Sequence, residues 1–217
     1  VEAENSETRN IMPKSQWSFN THDARDYGSK ILKTMLGDRF DFPKSLYAVH
    51  DCLNYFEKHK PNAIIVDFFA GSGTTMHAVN LLNAEDGGHR RCIMVTNNEV
   101  SDAEAKEMSK RGLKPDDEEW EKLGIARYVT WPRTVCSIEG HDVNGNPLKG
   151  NYIGSDIPMS DGFKANAAFF KLGFLDKTAV ALGKQFKEML PTLWMKAGAI
   201  GRCPTVSEDI PDMLILS

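Results

Sequence analysis

The segment Val66-Asp67-Phe68-Phe69-Ala70-Gly71-Ser72-Gly73-Thr74-Thr75 joins the short apolar run Ala63-Ile64-Ile65-Val66 to a region of helical spacing that opens at Thr74. A brief apolar run closed by an acid predicts a buried parallel strand, covered on both faces. Gly71 and Gly73 let the backbone turn tightly and come close to a ligand. A helix starting at Thr74 offers free N–H groups and a positive dipole end, which suit a carboxylate or a phosphate. Asp67 at the strand end puts a negative charge beside the same cleft, which suits an ammonium or hydroxyls. Open α/β sheets bind their ligands at that end of the strands.

Upstream, Gly28 to Leu36 predicts a short helix with Ile31, Leu32, Met35 and Leu36 inward, stopped by Gly37. Phe40-Asp41-Phe42-Pro43 predicts a turn or extended segment forced by the proline. Lys44 to Lys58 carries Leu46, Val49, Leu53 and Phe56 at helical spacing, and Pro61 ends it. Downstream, Thr74 to Asn83 predicts a helix with Ala78, Leu81 and Leu82 on one side. Glu85 to His89 predicts a loop, and Arg91 to Val95 a second strand. Asp102 to Arg111 and Asp116 to Leu123 read as charged helices, and Ala126 to Thr130 as a third strand. Strand and helix in alternation predict an α/β fold with a doubly wound sheet.

Glycine, asparagine and proline break every period from Gly140 to Gly162. The expected organisation is a polar arm at 1–27 anchored by Trp17 and Phe19, an α/β domain at 28–139, a loop or linker at 140–162, and a small carboxyl-terminal module at 163–217. In that module Phe163 to Leu175 and Thr178 to Leu190 read as separate elements. Pro191 is expected to end the second, with Trp194 and Met195 in the core.

The chain has 217 residues, a hydrophobic fraction of 41% and a formal net charge of −4 from 26 Lys+Arg and 30 Asp+Glu. It is neither disordered nor fibrous. A protein that grips nucleic acid by itself carries a basic excess, and this one does not. Cys52, Cys92, Cys136 and Cys203 form no CxxC pair, which argues against a zinc ribbon or a dithiol redox motif. They read as reduced thiols of a cytoplasmic protein. No apolar run approaches the ~20 residues of a membrane span, no signal-peptide pattern opens the chain, and no membrane partner is expected.

The phosphate loop GxxxxGK[ST] is excluded because no Lys follows Gly73. The dinucleotide fingerprint GxGxxG is excluded because Met76 stands where its third glycine belongs. Asp67 followed by the FxGxGTT string, Phe69 to Thr75, instead resembles motif I of the S-adenosylmethionine-dependent amino-methyltransferases that modify DNA. Phe40-Asp41-Phe42-Pro43-Lys44-Ser45 resembles the FxxPK segment that precedes motif I where the cofactor motifs follow the catalytic one. Arg91-Cys92-Ile93-Met94-Val95, ending near Glu99, resembles motif II, although Thr96, Asn97 and Asn98 intervene. The layout looks most like the modification subunits of type III restriction systems, over about Gly28 to Val135.

The resemblance implies a Rossmann-like methyltransferase sheet, incomplete here, and S-adenosylmethionine as the cofactor. It implies that Asp67 meets the methionine ammonium, that Ala70, Gly71, Ser72, Gly73 and Thr74 wrap the methionine carboxylate, with Phe68, Phe69 and Thr75 also among the cofactor-binding residues, and that Glu99 holds the ribose. Phe42, Lys44 and Ser45 close on the cofactor. Such enzymes use a Pro-Pro motif to hold the exocyclic amine of a flipped base. None of the ten prolines here is adjacent to another, so no catalytic residue is assigned. The expectation is the cofactor-binding piece of a DNA adenine-N6 methyltransferase, inactive alone. It would meet DNA through the full-length protein, with a restriction or specificity subunit and self-association as further options. The rivals are a complete methyltransferase for a small molecule or RNA, and a non-catalytic binding subunit.

Plainer readings stand beside these. Asp67 serves equally as a cap, Phe42 as a core aromatic, and Lys44 and Glu99 as surface charges. His77 reads as structural, and His89-Arg90-Arg91 as a solvated strand start. Asp116-Asp117-Glu118-Glu119 reads as a charged helix start, with no metal site. Trp131-Pro132-Arg133 reads as a helix start rather than a base-stacking platform.

Overall fold

The computed structural model describes residues 15–173, 175–183, 185–198 and 203–205. Residues 1–14 of the expected arm and the apolar end of the tail lie outside that range. The chain divides into two compact units, 1–168 and 169–217.

In the first unit, α1 (Lys30–Leu36) follows a π-type turn at Arg25–Ser29, and α2 spans Leu46–Glu57. β1 (Ile64–Asp67) and β2 (Arg91–Met94) flank α3 (Thr74–Asp86). α4 (Asp102–Lys110), α5 (Glu118–Leu123) and α6 (Trp131–Glu139) complete the unit's longer elements. The strands pair in parallel, Ile64 opposite Arg91 and Asp67 opposite Met94. The result is a mixed structure of helices around a small parallel sheet, consistent with a methyltransferase-like α/β fold.

Helix α3 is the spine of this unit. His77, Ala78, Val79, Asn80, Leu81 and Leu82 are all buried, so it is enclosed on most of its circumference rather than along one stripe. Leu32, Met35 and Leu36 of α1, Leu46 and Tyr47 of α2, and Cys136 of α6 share its core. So do Leu148, Tyr152, Met159 and Phe163 from the glycine-rich segment after α6. That segment has two isolated antiparallel bridges, His141 with Pro147 and Asn151 with Pro158. Tyr152 stacks on Phe163, with ring centroids 5.2 Å apart.

Arg90 is buried and does not form a solvated strand start, as the sequence suggested. It donates to both Asp86 carboxylate oxygens at 2.9 and 2.8 Å and to the Glu57 and Lys58 carbonyls, tying the ends of α2 and α3 to the start of β2. Gly28 is needed where the chain crosses the segment before α2. A Cβ there would lie 2.5 Å from the Pro43 oxygen and 2.9 Å from the Lys44 oxygen. Gly28→Ala is therefore expected to cost about 2 kcal/mol, read as a lower denaturant midpoint with an unchanged slope. An unchanged midpoint would refute the close approach.

Three further expectations about this unit need correction. Ala126–Thr130 is not a third strand but a π-type turn leading into α6. Ala126, Val129, Thr130, Arg133, Thr134 and Ser137 are buried at helical spacing. Pro132 has no N–H to bond the Tyr128 carbonyl, so the helix widens there. That oxygen instead accepts from Arg39 Nη1 at 3.2 Å, with the guanidinium 4.4 Å over the Tyr128 ring. Second, β1 and β2 are not buried on both faces, because only two strands pair among the described residues. Ile64, Val66 and Ile93 stand on a face that remains open, 54%, 47% and 51% exposed. Third, Phe42 is no core aromatic, being 94% exposed.

In the second unit the expected helix from Thr178 is two, α7 (Lys177–Ala181) and α8 (Phe186–Lys196). They part at Gly183, whose φ of +73° breaks the spiral. α8 runs through Pro191 rather than stopping there, forgoing one N–H bond. Leu190 is buried, and Met195 is 45% exposed rather than core. The described residues of 163–175 form neither helix nor strand.

Candidate functional site

The loop from Asp67 to Thr75 sits at the carboxyl end of β1. It is bound to the end of β2 by Ala70 N–H to the Val95 oxygen at 3.2 Å and by Val95 N–H to the Asp67 oxygen at 2.7 Å. Gly71 and Gly73 have φ of +51° and +77°, in the left-handed region that favours glycine. The N–H of Gly73 closes a turn on the Ala70 carbonyl at 2.8 Å. Gly73 is also the N-cap of α3, and no side chain caps that end. The first N–H groups of the helix are therefore available to an acceptor.

Asp67 frames the other side of the loop. Its Oδ1 accepts from Phe69 N–H at 3.0 Å and its Oδ2 from Thr75 Oγ at 2.6 Å. Such a carboxylate caps the turn and keeps lone pairs for a cation. Half-buried Cys92 lies close enough that desolvation and the Asp67 charge together push its thiol up to about 12, so it stays protonated. Ala70, Ser72 and Thr74 are buried, and Phe68 and Phe69 are 66% and 87% exposed.

The remaining candidates differ in how their groups are used. Phe42 has a φ of +55°, strained for an aromatic residue. The segment before it passes the loop, with Phe40 Cζ 4.0 Å from where a Gly71 Cβ would stand. Lys44 is exposed. The Ser45 hydroxyl donates to the Thr21 oxygen at 2.7 Å and caps α2 by accepting from Ala48 N–H at 3.4 Å. Glu99 is exposed beyond the end of β2, its carboxylate accepting from Asn97 Nδ2 at 3.2 Å. Asn98 holds the start of the helical turn at 126–130, accepting from Arg127 N–H at 3.2 Å.

The start of α6 supports the loop from behind, and sequence reasoning did not single it out for this. Thr130 Oγ donates to the Gly71 oxygen at 2.6 Å, and a Cβ on Gly73 would lie 3.3 Å from Thr130 Cγ2. Arg133 Nη1 donates to Thr74 Oγ at 2.7 Å and Ser72 Oγ at 3.1 Å. Thr130, Arg133, Thr134 and Ser137 form a polar stripe at helical spacing. That stripe was the available signal, hidden by reading residues 126–130 alone.

His77 is structural, as expected: its Nε2 lies 2.9 Å from the Tyr152 hydroxyl, and burial with the Arg133 charge holds its pKa well below the ordinary histidine range. A groove of about 1030 Å³ runs past Asn83, His89 and Arg91, toward the amino ends of the strands and away from this loop. Among the described residues no group of three or more His, Cys, Asp or Glu is placed to hold a metal ion. No described helix is long and apolar enough to cross a membrane.

A glycine loop at the carboxyl end of a parallel strand, with the strand-end acid beside an uncapped helix start, is a site of the kind found in methyltransferase-like α/β proteins. Residues 1–158 match the model of the N6/N4 DNA methylase family, and the chain belongs to that family. It is 37% identical over 93 residues to the type II methyltransferase M.KpnI of Klebsiella pneumoniae, covering 43% of this chain and 22% of that protein. It is 36% identical over 89 residues to the Mod subunit of the type III restriction-modification enzyme EcoPI of Escherichia phage P1, covering 41% and 13%. To the StyLTI Mod subunit of Salmonella typhimurium it is 42% identical over 71 residues, covering 32% and 10%. The matches thus span a tenth to about a fifth of these relatives' lengths.

Proposed function

We propose that this chain forms the S-adenosylmethionine-binding part of a site-specific DNA methyltransferase that methylates adenine at N6. The observation that carries the reading is the conformation of Asp67 to Thr75. Two left-handed glycines expose an uncapped helix start, and the Asp67 carboxylate stands beside its first turn, on the Thr75 hydroxyl. That arrangement fits a zwitterionic amino-acid end, with its carboxylate on the helix N–H groups and its ammonium on Asp67. When bound, S-adenosylmethionine supplies an electrophilic methyl group on a sulfonium sulfur.

The chain's own residues bind and orient. Ala70 to Thr74 wrap the amino-acid end, and Glu99, exposed beyond the β2 terminus, is assigned to the ribose. The exposed rings of Phe42, Phe68 and Phe69 supply apolar cover, and Lys44 and Ser45 belong to the segment closing over the pocket. In this reading the Pro-Pro motif that holds the target amine lies outside this chain. DNA is met through the whole enzyme, with a restriction or specificity subunit as a further partner. The open apolar face of β1 and β2 supports a further layer packed on the sheet in the whole enzyme.

Titration calorimetry with S-adenosylhomocysteine tests this: one site is expected, and no binding by the intact chain would sink the reading. Gly73→Val forces a branched side chain to a φ of +77° against Thr130. It is expected to weaken binding by about tenfold or more, since 1–2 kcal/mol of strain is a factor of that order. Incubated alone with DNA and labelled cofactor, the chain is expected to transfer no methyl group.

A further inference from the structure

Arg133 is wholly buried, with none of its surface exposed. Its Nη1 donates to Thr74 Oγ at 2.7 Å, to Ser72 Oγ at 3.1 Å and to the Ser72 carbonyl at 3.4 Å. Its Nε and Nη2 have no acceptor among the described residues, and no carboxylate pairs with it there. The titratable groups beside it, the Tyr152 hydroxyl and the His77 ring with its unpartnered Nδ1, are both neutral. Burial pushes the guanidinium down to about 10, so it remains a cation at neutral pH. An interior cation without a counter-ion is costly, and this one lies directly behind the glycine loop.

The hydroxyls it touches transmit its charge. A guanidinium only donates, so Ser72 and Thr74 each accept from it. Each hydroxyl has one proton, and the 3.1 Å contact between Ser72 Oγ and Thr74 Oγ uses one of the two. The other remains to donate. Together with the uncapped start of the 13-residue α3, this makes one side of the loop a surplus of donors backed by a positive charge. Asp67, on the neighbouring Thr75 hydroxyl, is the negative pole.

We propose that Arg133 is a positioning residue of the cofactor pocket, whose buried cation, acting through Ser72 and Thr74, supplies the counter-charge for the carboxylate at the cofactor's amino-acid end. The proposal rests on the S-adenosylmethionine reading above. It keeps the direction given there, ammonium on Asp67, and names the buried group that stands behind the carboxylate.

The test compares two probes by calorimetry on the full chain: S-adenosylhomocysteine, and its decarboxylated counterpart 5′-(3-aminopropylthio)-5′-deoxyadenosine, which keeps the ammonium. Arg133→Met is expected to weaken the first by about tenfold or more, the scale of a charge-assisted hydrogen bond. It should leave the second within about twofold of wild type, set against that same scale. Because apolar replacement of an uncompensated buried charge is often neutral or stabilising, the variant should melt no lower than wild type. Arg133→Lys should recover part of the preference for the carboxylate. If Arg133→Met folds poorly, Ser72→Ala carries the same comparison, with the same selective loss expected. Equal weakening of both probes, or of neither, overturns the role of Arg133 while leaving the pocket assigned. Failure of the wild-type chain to bind either probe overturns the cofactor reading, and this proposal with it.

Discussion

Gly140→Ala is expected to destabilise the first unit by about 4 kcal/mol, combining left-handed strain of about 1–2 with an overpacking cost of about 1–3. Gly140 ends α6 with a φ of +74°, and a Cβ there would fall on the Ser160 carbonyl and 2.8 Å from the Gly162 nitrogen. The relation is reciprocal, since a Cβ on Gly162 would fall on the Ile138 carbonyl. The two backbones cross this closely because Leu148 N–H bonds the Gly140 oxygen and Phe163 N–H bonds the Ile138 oxygen, each at 2.9 Å. Backbone atoms cannot step aside as a flexible side chain can. The crossing is what sets Tyr152 and Phe163 against His77 of α3. Gly145→Ala is the control: its φ of +83° carries the same strain, but nothing lies within 4 Å of its Cβ. Denaturant unfolding should show a far larger loss for Gly140→Ala than for Gly145→Ala. Equal losses would mean that backbone strain alone is at work and that the crossing does not exist.

Stability is also expected to fall as pH rises through about 9, on account of His50. Burial alone would push this histidine down. Its hydrogen bonds to Asp51 at 3.1 Å and Glu85 at 2.7 Å more than reverse that and hold it up at about 9, from an ordinary 6.5. Asp51 in turn bonds His22 Nε2 at 2.8 Å, and its carboxyl is held low chiefly by His50. A pKa raised on folding means that the folded state binds the proton more tightly. The contribution is therefore fully present below about 6.5 and is lost as pH climbs to and beyond about 9. Linkage sets its ceiling at about 3 kcal/mol. Melting followed from pH 6 to pH 10 should show this loss in the wild type and a flatter profile in His50→Gln. Parallel profiles would remove His50 as the cause. This cluster joins the segment before α1 to α2 and the end of α3, so its loss should be felt across the first unit.

Much of the local structure was legible because it is written in short-range rules. Gly37 with a φ of +73° ends α1, and Ser45 caps α2. Ser101 caps α4 by accepting from Glu104 N–H at 3.3 Å. Both strands appear where short apolar runs predicted them. The helix start at Trp131, with Pro132 in its first turn, was also expected. Ala126–Thr130 reads as a strand because β-branched Val129 and Thr130 favour one. Their helical burial depends on contacts with Gly71 and Arg39, remote in the chain. Propensity over five residues is too weak a signal to oppose such contacts. Pro191 misled in a similar way, since one missing N–H does not end a helix that buries Leu190.

By itself the sequence determined the loop chemistry. An acid at a strand end, two glycines and a pair of threonines dictate a sharp turn into a helix start, and those residues carry the family resemblance. The tertiary structure alone decided what stands behind the loop and what stands over the sheet. Arg133 lies 59 residues beyond Thr74, and no local period announces that its guanidinium will be buried under Ser72 and Thr74. The open apolar face of β1 and β2 was equally invisible, because an apolar run specifies that a strand seeks cover but not whether the described residues provide it. Both follow from the same cause. Short-range rules act between neighbours in sequence, whereas burial and charge compensation are settled only when distant segments share one interior.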